Sequence, residues 1–175
     1  SPNDTSYSQL WGMQDLDAGI RADKAWDLGS GAGVVVAVID TGYTDHSDLS
    51  ANILPGYDFI TDVTRANDGS GRDSDAHDPG NWTDTSSSNW HGTHVAGTIA
   101  AVTNNAKGVA GVAFNAKVVP VRVLGKCGGI SSDISDAIVW ASGGTVAGVP
   151  VNAHPAKVLN LSLGGPGACL ASTQN

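Results

Sequence analysis

Val34-Val35-Val36-Ala37-Val38-Ile39, opened by Gly31-Ala32-Gly33 and running into Asp40-Thr41-Gly42, is the stretch on which the fold turns. Its side chains are apolar on both sides of the strand alternation, the pattern of a central parallel strand covered on both faces. Two further runs, Lys117 to Val123 and Lys157 to Leu163, read as strands. Pro120 lacks an N–H, so the first of these is edge-like, bulged, or free on its N–H side at that point. Between them lie helical patterns. His94 to Ala101 is rich in small residues, as a helix packed close to a sheet requires. Asp133 to Trp140 puts Ile134, Ala137, Ile138 and Ala141 on one face, with Ser131 or Ser132 placed to cap it. Arg21 to Trp26 forms a short helical turn. Strand and helix alternate, which predicts an α/β fold with an open, mostly parallel sheet.

The totals narrow the class. A hydrophobic content of 41% over 175 residues excludes a generically disordered chain. No run of eighteen apolar residues offers a membrane span. The net charge of -8 argues against nucleic acid and anionic membranes as partners. The chain starts at Ser1 as a processed product would, with any targeting segment already gone. All 17 acidic residues are aspartate, a side chain suited to turns, caps and hard-cation loops. Seven of them fall between Asp58 and Asn89, a stretch with little periodicity. A connection of about 30 residues is long for a compact domain and implies a functional or metal-ordered segment. No linker or internal repeat divides the chain. The two cysteines, Cys127 and Cys169, read as one disulfide, two buried free thiols, or a metal pair. A disulfide there would contribute roughly 4 kcal/mol by the chain-entropy estimate.

Asp40 lies at the carboxyl end of the central strand, the edge where open parallel sheets gather ligands and reactive groups. Its partner candidates are His91 and His94, three apart at the start of a helix. Zinc proteases use H-E-x-x-H, with spacing of four and a glutamate, and this sequence has no glutamate. The other readings make both histidines structural, or turn His91 into a cleft while His94 packs inward. An aspartate beside a histidine fixes the imidazole tautomer and stabilises its protonated form, so the histidine can serve as general base to a hydroxyl or thiol. The serines lie in loops, and no G-x-S-x-G elbow supplies that nucleophile. Cys127 is a weak candidate for it.

Ala37 to Gly42 and His91-Gly92-Thr93-His94-Val95-Ala96-Gly97 resemble the aspartate and histidine signatures of the subtilisin-like serine peptidases, the subtilases. Asn160 to Gly165 resembles the family's next hallmark strand, and the opening with Trp11-Gly12 and Ala25-Trp26 follows the start of its mature enzymes. The resemblance implies a three-layer subtilisin-like fold, of which residues 1–175 are the N-terminal part of one peptidase domain with residues 58–89 as an acidic loop insertion. It implies a secreted endopeptidase made as a zymogen, with Asp40 as triad aspartate and His91 as base. The family's order places its serine later. Ser172 and Asn175 sit too close behind Gly165 to be that serine and the oxyanion asparagine, so the nucleophile is expected from the C-terminal remainder of the domain. A second chain produced by a nick near Asn175 would supply it.

In the same family an extended peptide adds as a strand between two enzyme segments. Here they look like Ser162-Leu163-Gly164 and Gly128-Gly129-Ile130. Cys127 and Cys169 lie close to these segments in the sequence, so a bridge between them would stiffen the cleft. The family's calcium site implies ligands from Asp4, Asp48, Val102, Asn105, Lys107 and Val109, with Asn105 giving its amide oxygen and the Lys107 side chain turned to water. A second Ca²⁺ is expected in the insertion on Asp62, Asp68, Asp73, Asp75 and Asp78, whose mutual repulsion a cation would relieve. Rival readings are a catalytically inactive subtilase-like binding or structural module, a processing peptidase for basic sequences, and a nucleotide binder. The last is disfavoured because Gly29 to Gly33 precedes the strand, where a phosphate loop follows it.

Overall fold

The computed structural model describes residues 1–165, so Cys169 and the expected bridge to it lie outside the described residues. In chain order the elements are α1 (Trp11–Gln14), α2 (Ala22–Ala25), β1 (Val35–Asp40), β2 (Tyr57–Asp58), α3 (Val63–Ala66), α4 (His91–Ala100), β3 (Lys117–Arg122), α5 (Ser131–Ala141) and β4 (Val158–Asn160). The strands form one sheet of order β2-β3-β1-β4, and each pairing is parallel.

The alternation of β1 and β3 sorts the core into two layers. Ala37, Ile39, Val119 and Val121 point to one face and pack with Tyr57, Phe59 and the α5 residues Ala137, Trp140 and Ala141. Val38 and Val118 point to the other and meet Ala96 and Ala100 of α4. Burying a valine or isoleucine completely contributes about 1.5–3 kcal/mol, so the two clusters account for the packing of a helix on each face. The small side chains of α4 let it sit close to the sheet. Asn52 stops it, donating from Nδ2 to the carbonyls of Ala100 at 2.9 Å and Phe114 at 3.0 Å.

β3 is an interior strand, flanked by β2 and β1. Its odd residues donate to β1, as Lys117 N does to Val34 O and Val123 N to Asp40 O. Pro120 therefore turns its missing N–H toward the β2 side, into the gap between the Ile53–Val118 bridge and the Tyr57–Val121 pairing. The free-N–H reading of Pro120 holds, and the edge reading does not. α5 also differs from expectation. Its buried residues are Asp133, Ala137, Trp140 and Ala141, while Ile138 is exposed, and its N-cap is Ile130 without a side-chain bond. Ala137 and Ala141 lie in the core and Ile134 packs against it as the pattern suggested, while the buried Asp133 and Trp140 share that face and Ile138 turns out.

The insertion is an ordered segment. Asp62 caps α3 through the Thr64 and Arg65 N–H groups. Arg72 reaches α5, bonding Asp133 at 2.6 Å and Asp136 at 2.7 Å while stacking over Phe59. Arg65 Nη1 donates to the Cys127 carbonyl at 3.0 Å. No described helix is long and apolar enough to cross a membrane.

Candidate active site

β1 ends in Asp40, and α4 begins at His91, so sheet and helix deliver the two side chains to one point. Asp40 is fully buried. His91 Nδ1 lies 2.8 Å from Asp40 Oδ1 and 2.9 Å from Oδ2. A carboxylate only accepts, so Nδ1 carries the proton and the Nε2 lone pair is free. The His91 side chain is 42% exposed, against 0% for Asp40, which leaves that lone pair open to solvent or substrate. Asp40 Oδ1 also accepts the Thr41 N–H at 2.7 Å, and Thr41 Oγ1 accepts the Gly92 N–H at 3.0 Å. The first turn of α4 is thereby tied to the loop that follows Asp40. His94 does not pack inward. It is exposed and lines a second cavity of about 480 Å³ behind α4, with Leu10, Met13, Leu49 and Gly97.

In front of His91 opens a cleft of about 860 Å³. Gly128 and Gly129 form part of one wall, and Ser162, Leu163 and Gly164 part of another, as the sequence suggested. Ile130 is not on the lining; it precedes α5, and Ser131 and Ile134 take the wall instead. The insertion supplies a polar wall of Asn81, Thr83, Ser86 and Asn89 that the sequence reading did not assign. Asn89 Oδ1 accepts the His91 N–H at 3.2 Å, satisfying an orphan donor of the helix terminus. Lys126 stacks over Trp82 at 4.8 Å, joining the insertion to the turn 125–128. Cys127 lines the cleft too, exposed and at φ +60°.

Asp4 and Asp48, 101 and 57 positions from Asn105, both come to the loop 102–109, and both are more than nine-tenths buried. Asp4 accepts the Asn104 and Asn105 N–H groups, and Asp48 accepts the Val109 N–H and Asn105 Nδ2. The Asn105 amide oxygen, expected as a ligand, accepts the Lys107 N–H at 2.9 Å. Val102 N–H donates to the Asp48 carbonyl, and the Lys107 side chain is exposed. Among the described residues neither carboxylate has a cationic side-chain partner, an arrangement of buried charge that suits a hard cation.

The acidic insertion is organised differently from the expectation that its carboxylates repel. Asp62 is a helix cap, Asp68 binds Ser70 and Arg122, and Asp73 binds Ser70 and the Asp75 N–H. Asp75 meets His77 at 2.6 Å, and Asp78 accepts the Gly80 N–H. No group of three or more His, Cys, Asp or Glu is gathered in metal-holding geometry among the described residues. Two of the insertion's carboxylates, Asp58 and Asp68, are met by an arginine that sequence reasoning passed over. Arg122 is fully buried and bonds Asp58, Asp68 and the Ala66 carbonyl. Burial pushes the Asp58 carboxyl up to about 7 against the pull of Arg122 and the Ile60 N–H. The signal was present in the sequence: Arg122 is a charge on the alternation of a strand otherwise apolar on both faces.

The model of the subtilase family matches residues 31–175. The chain belongs to the subtilase family. Over its full length this subtilase is 61% identical to an extracellular protease of Xanthomonas campestris pv. campestris. Over 99% of its length it is 53% identical to an extracellular basic protease of Dichelobacter nodosus. It covers 32% and 31% of those proteins, about a third of their length. A solved protease of Pseudoalteromonas arctica superposes on 99% of the chain with a TM-score of 0.95 at 60% identity, and 53% of that chain is covered. The parallel sheet and its two helical layers are thus the N-terminal portion of the subtilisin-like fold.

Proposed function

We propose that residues 1–175 are the N-terminal part of a single catalytic domain of a secreted serine endopeptidase, acting on extended polypeptides. The observation that carries this reading is the buried Asp40 holding Nδ1 of a half-exposed His91 at the end of a long cleft. The serine comes from polypeptide beyond these residues, the C-terminal remainder of the domain, continuous or as a second chain. The apolar groove behind α4 and the exposed Val158 and Leu161 at the β4 edge support further polypeptide seating there.

Mechanistically, His91 Nε2 accepts the serine proton as Oγ bonds to the peptide carbonyl carbon and the C=O electrons move onto oxygen. Asp40 keeps the ring oriented and stabilises the imidazolium. The tetrahedral adduct then collapses, and the leaving amine takes the proton from His91. Water repeats the sequence on the acyl-enzyme. Backbone along Ser162–Gly164 and Gly128–Gly129 binds substrate in extended form, which is tolerant of sequence. Calcium would be held by Asp4, Asp48 and the loop of Val102, Asn105, Lys107 and Val109, tying the N-terminus down. For a second ion among Asp62, Asp68, Asp73, Asp75 and Asp78, the support is the buried Oδ2 of Asp78, unpartnered among the described residues. A Cys127–Cys169 disulfide would brace the cleft walls.

In the complete protein, a fluorophosphonate probe is expected to label one serine, and His91→Ala to abolish labelling. Absence of label on the wild-type protein would favour the inactive binding module instead.

A further inference from the structure

We infer that Arg122 is a positioning residue for the Asp40–His91 pair and that the acidic insertion is built into the catalytic geometry through it; this rests on the protease reading above. The register sets Asp58 of β2 opposite Arg122 of β3, and Arg122 opposite Asp40 of β1. Strand alternation turns Asp40 and Arg122 to the α4 face with Val38 and Val118. At the carboxyl edge of the sheet Asp58, Arg122 and Asp40 therefore stand in a row across three adjacent strands, their backbones about 4.8 Å apart from strand to strand, with the guanidinium turned to Asp58 and the insertion. All three side chains are fully buried.

A guanidinium in that position is costly unless it is held, and an apolar side chain would fill the space more cheaply. Arg122 is held by Asp58 beneath it and by Asp68 and the Ala66 carbonyl of the insertion. Its stem touches the loop after Asp40: a Cβ placed on Gly42 would lie 3.1 Å from Arg122 Cδ. Gly42 in turn carries the carbonyl on which Gly92 rests, one residue beyond His91. The same end of β3 grips Asp40 from the backbone, since Val123 N and Leu124 N both donate to its carbonyl, at 2.9 and 3.1 Å. Packed contacts thus run from the insertion through Arg122 and Gly42 to the turn bearing His91. Among the described residues Arg122 Nε has no partner, a cost the protein retains at this spot.

The test uses the complete protease and three variants, Arg122→Met, Arg122→Lys and Asp68→Asn. Each is assayed on a short peptide amide below its own unfolding midpoint, with competent sites counted by fluorophosphonate labelling. Arg122→Met is expected to lower kcat per labelled site by about ten-fold or more with KM within about two-fold, since small misplacements of reacting groups are costly. Arg122→Lys is expected to recover most of the loss. Asp68→Asn, although Asp68 is outside the cleft, is expected to lower kcat about two- to five-fold. If Arg122→Met fails to fold, Asp68→Asn decides. An unchanged kcat per labelled site in Asp68→Asn, with only the unfolding midpoint lowered, overturns the inference. A wild-type protein that takes no label removes the protease reading itself, whereas a labelled wild type with unaffected variants removes this inference alone.

Discussion

Gly42 and Gly92 meet where the loop after Asp40 passes under the first turn of α4. A Cβ on Gly92 would run into the Gly42 carbonyl and come within 3.2 Å of Asp40 Oδ1. Gly42 sits at φ +95°, where side chains are disfavoured, and a Cβ there would strike the Ala76 carbonyl. These two residues set the distance at which His91 addresses Asp40. Gly92→Ala is expected to cost about 1–3 kcal/mol of stability by overpacking and to reduce activity further than that loss implies. Thermal unfolding and kcat measured on the same preparation check it. Cys127 occupies φ +60°, a conformation that costs a residue with a Cβ roughly 1–2 kcal/mol. If it is bridged, Cys127→Gly relieves that strain but removes roughly 4 kcal/mol of cross-link. A net loss is expected in denaturant unfolding, and a gain in stability would rule the disulfide out.

At the level of elements, the insertion is fastened by arginines. Arg72 reaches Asp133, whose carboxyl burial alone would raise; Arg72 and the Thr61 N–H and hydroxyl outweigh that and hold it below the ordinary carboxylate range. A depressed carboxyl stabilises the fold above its unfolded pKa, near 3.8, and that stabilisation is lost as pH falls through the folded value. Asp58, raised, acts oppositely: its contribution is present at low pH and fades as pH rises through about 7. Asp133→Asn is therefore expected to lower the unfolding midpoint near neutrality and to flatten its decline below about pH 4, as read by thermal unfolding across pH. Sequence alone made much of this level legible. The run Val34 to Ile39 announced β1 because its apolarity is local, and the small residues after His91 announced α4. The partners of these arginines were illegible because the bonds join residues 54 to 64 positions apart, as Arg122 to Asp68 and Arg122 to Asp58. The burial of Asp133 on the inner face of α5 was missed for the same reason: its partners Arg72 and Thr61 arrive from the insertion. Among site residues, Asp40 and His91 were candidates from their places at a strand end and a helix start, and the resemblance to the subtilase signatures singled them out. The polar wall of Asn81, Thr83, Ser86 and Asn89 has no periodicity to betray it.

Over the whole molecule, the N-terminal segment is tied to the loop 102–109 through Asn3, Asp4 and the Ser6 N–H, while Asp48 grips the same loop from elsewhere in the chain. If calcium joins the two carboxylates, its addition at about 100 times its dissociation constant raises stability by about 2.7 kcal/mol. Asp48→Asn is expected to abolish that increment, measured as the calcium-dependent shift of the unfolding midpoint in the complete protein. An equal shift in wild type and variant would place the ion elsewhere. The same accounting separates the two sides of the cleft: Asp40 and His91 rest on sheet and α4, while the facing polar wall rests on the insertion.

That wall has a narrow neck. Asn81 and Asn89 bond each other across it, Asn89 N–H to Asn81 Oδ1 at 3.2 Å and Asn81 Nδ2 to Asn89 Oδ1 at 3.4 Å. Beyond the neck, residues 82–88 cross-link, among the described residues, only with one another and with Lys126. The stretch is consequently a detachable rim. Evolution, or an engineer, can lengthen, shorten or recompose it to reshape the mouth of the cleft, leaving untouched the clamps on which folding depends.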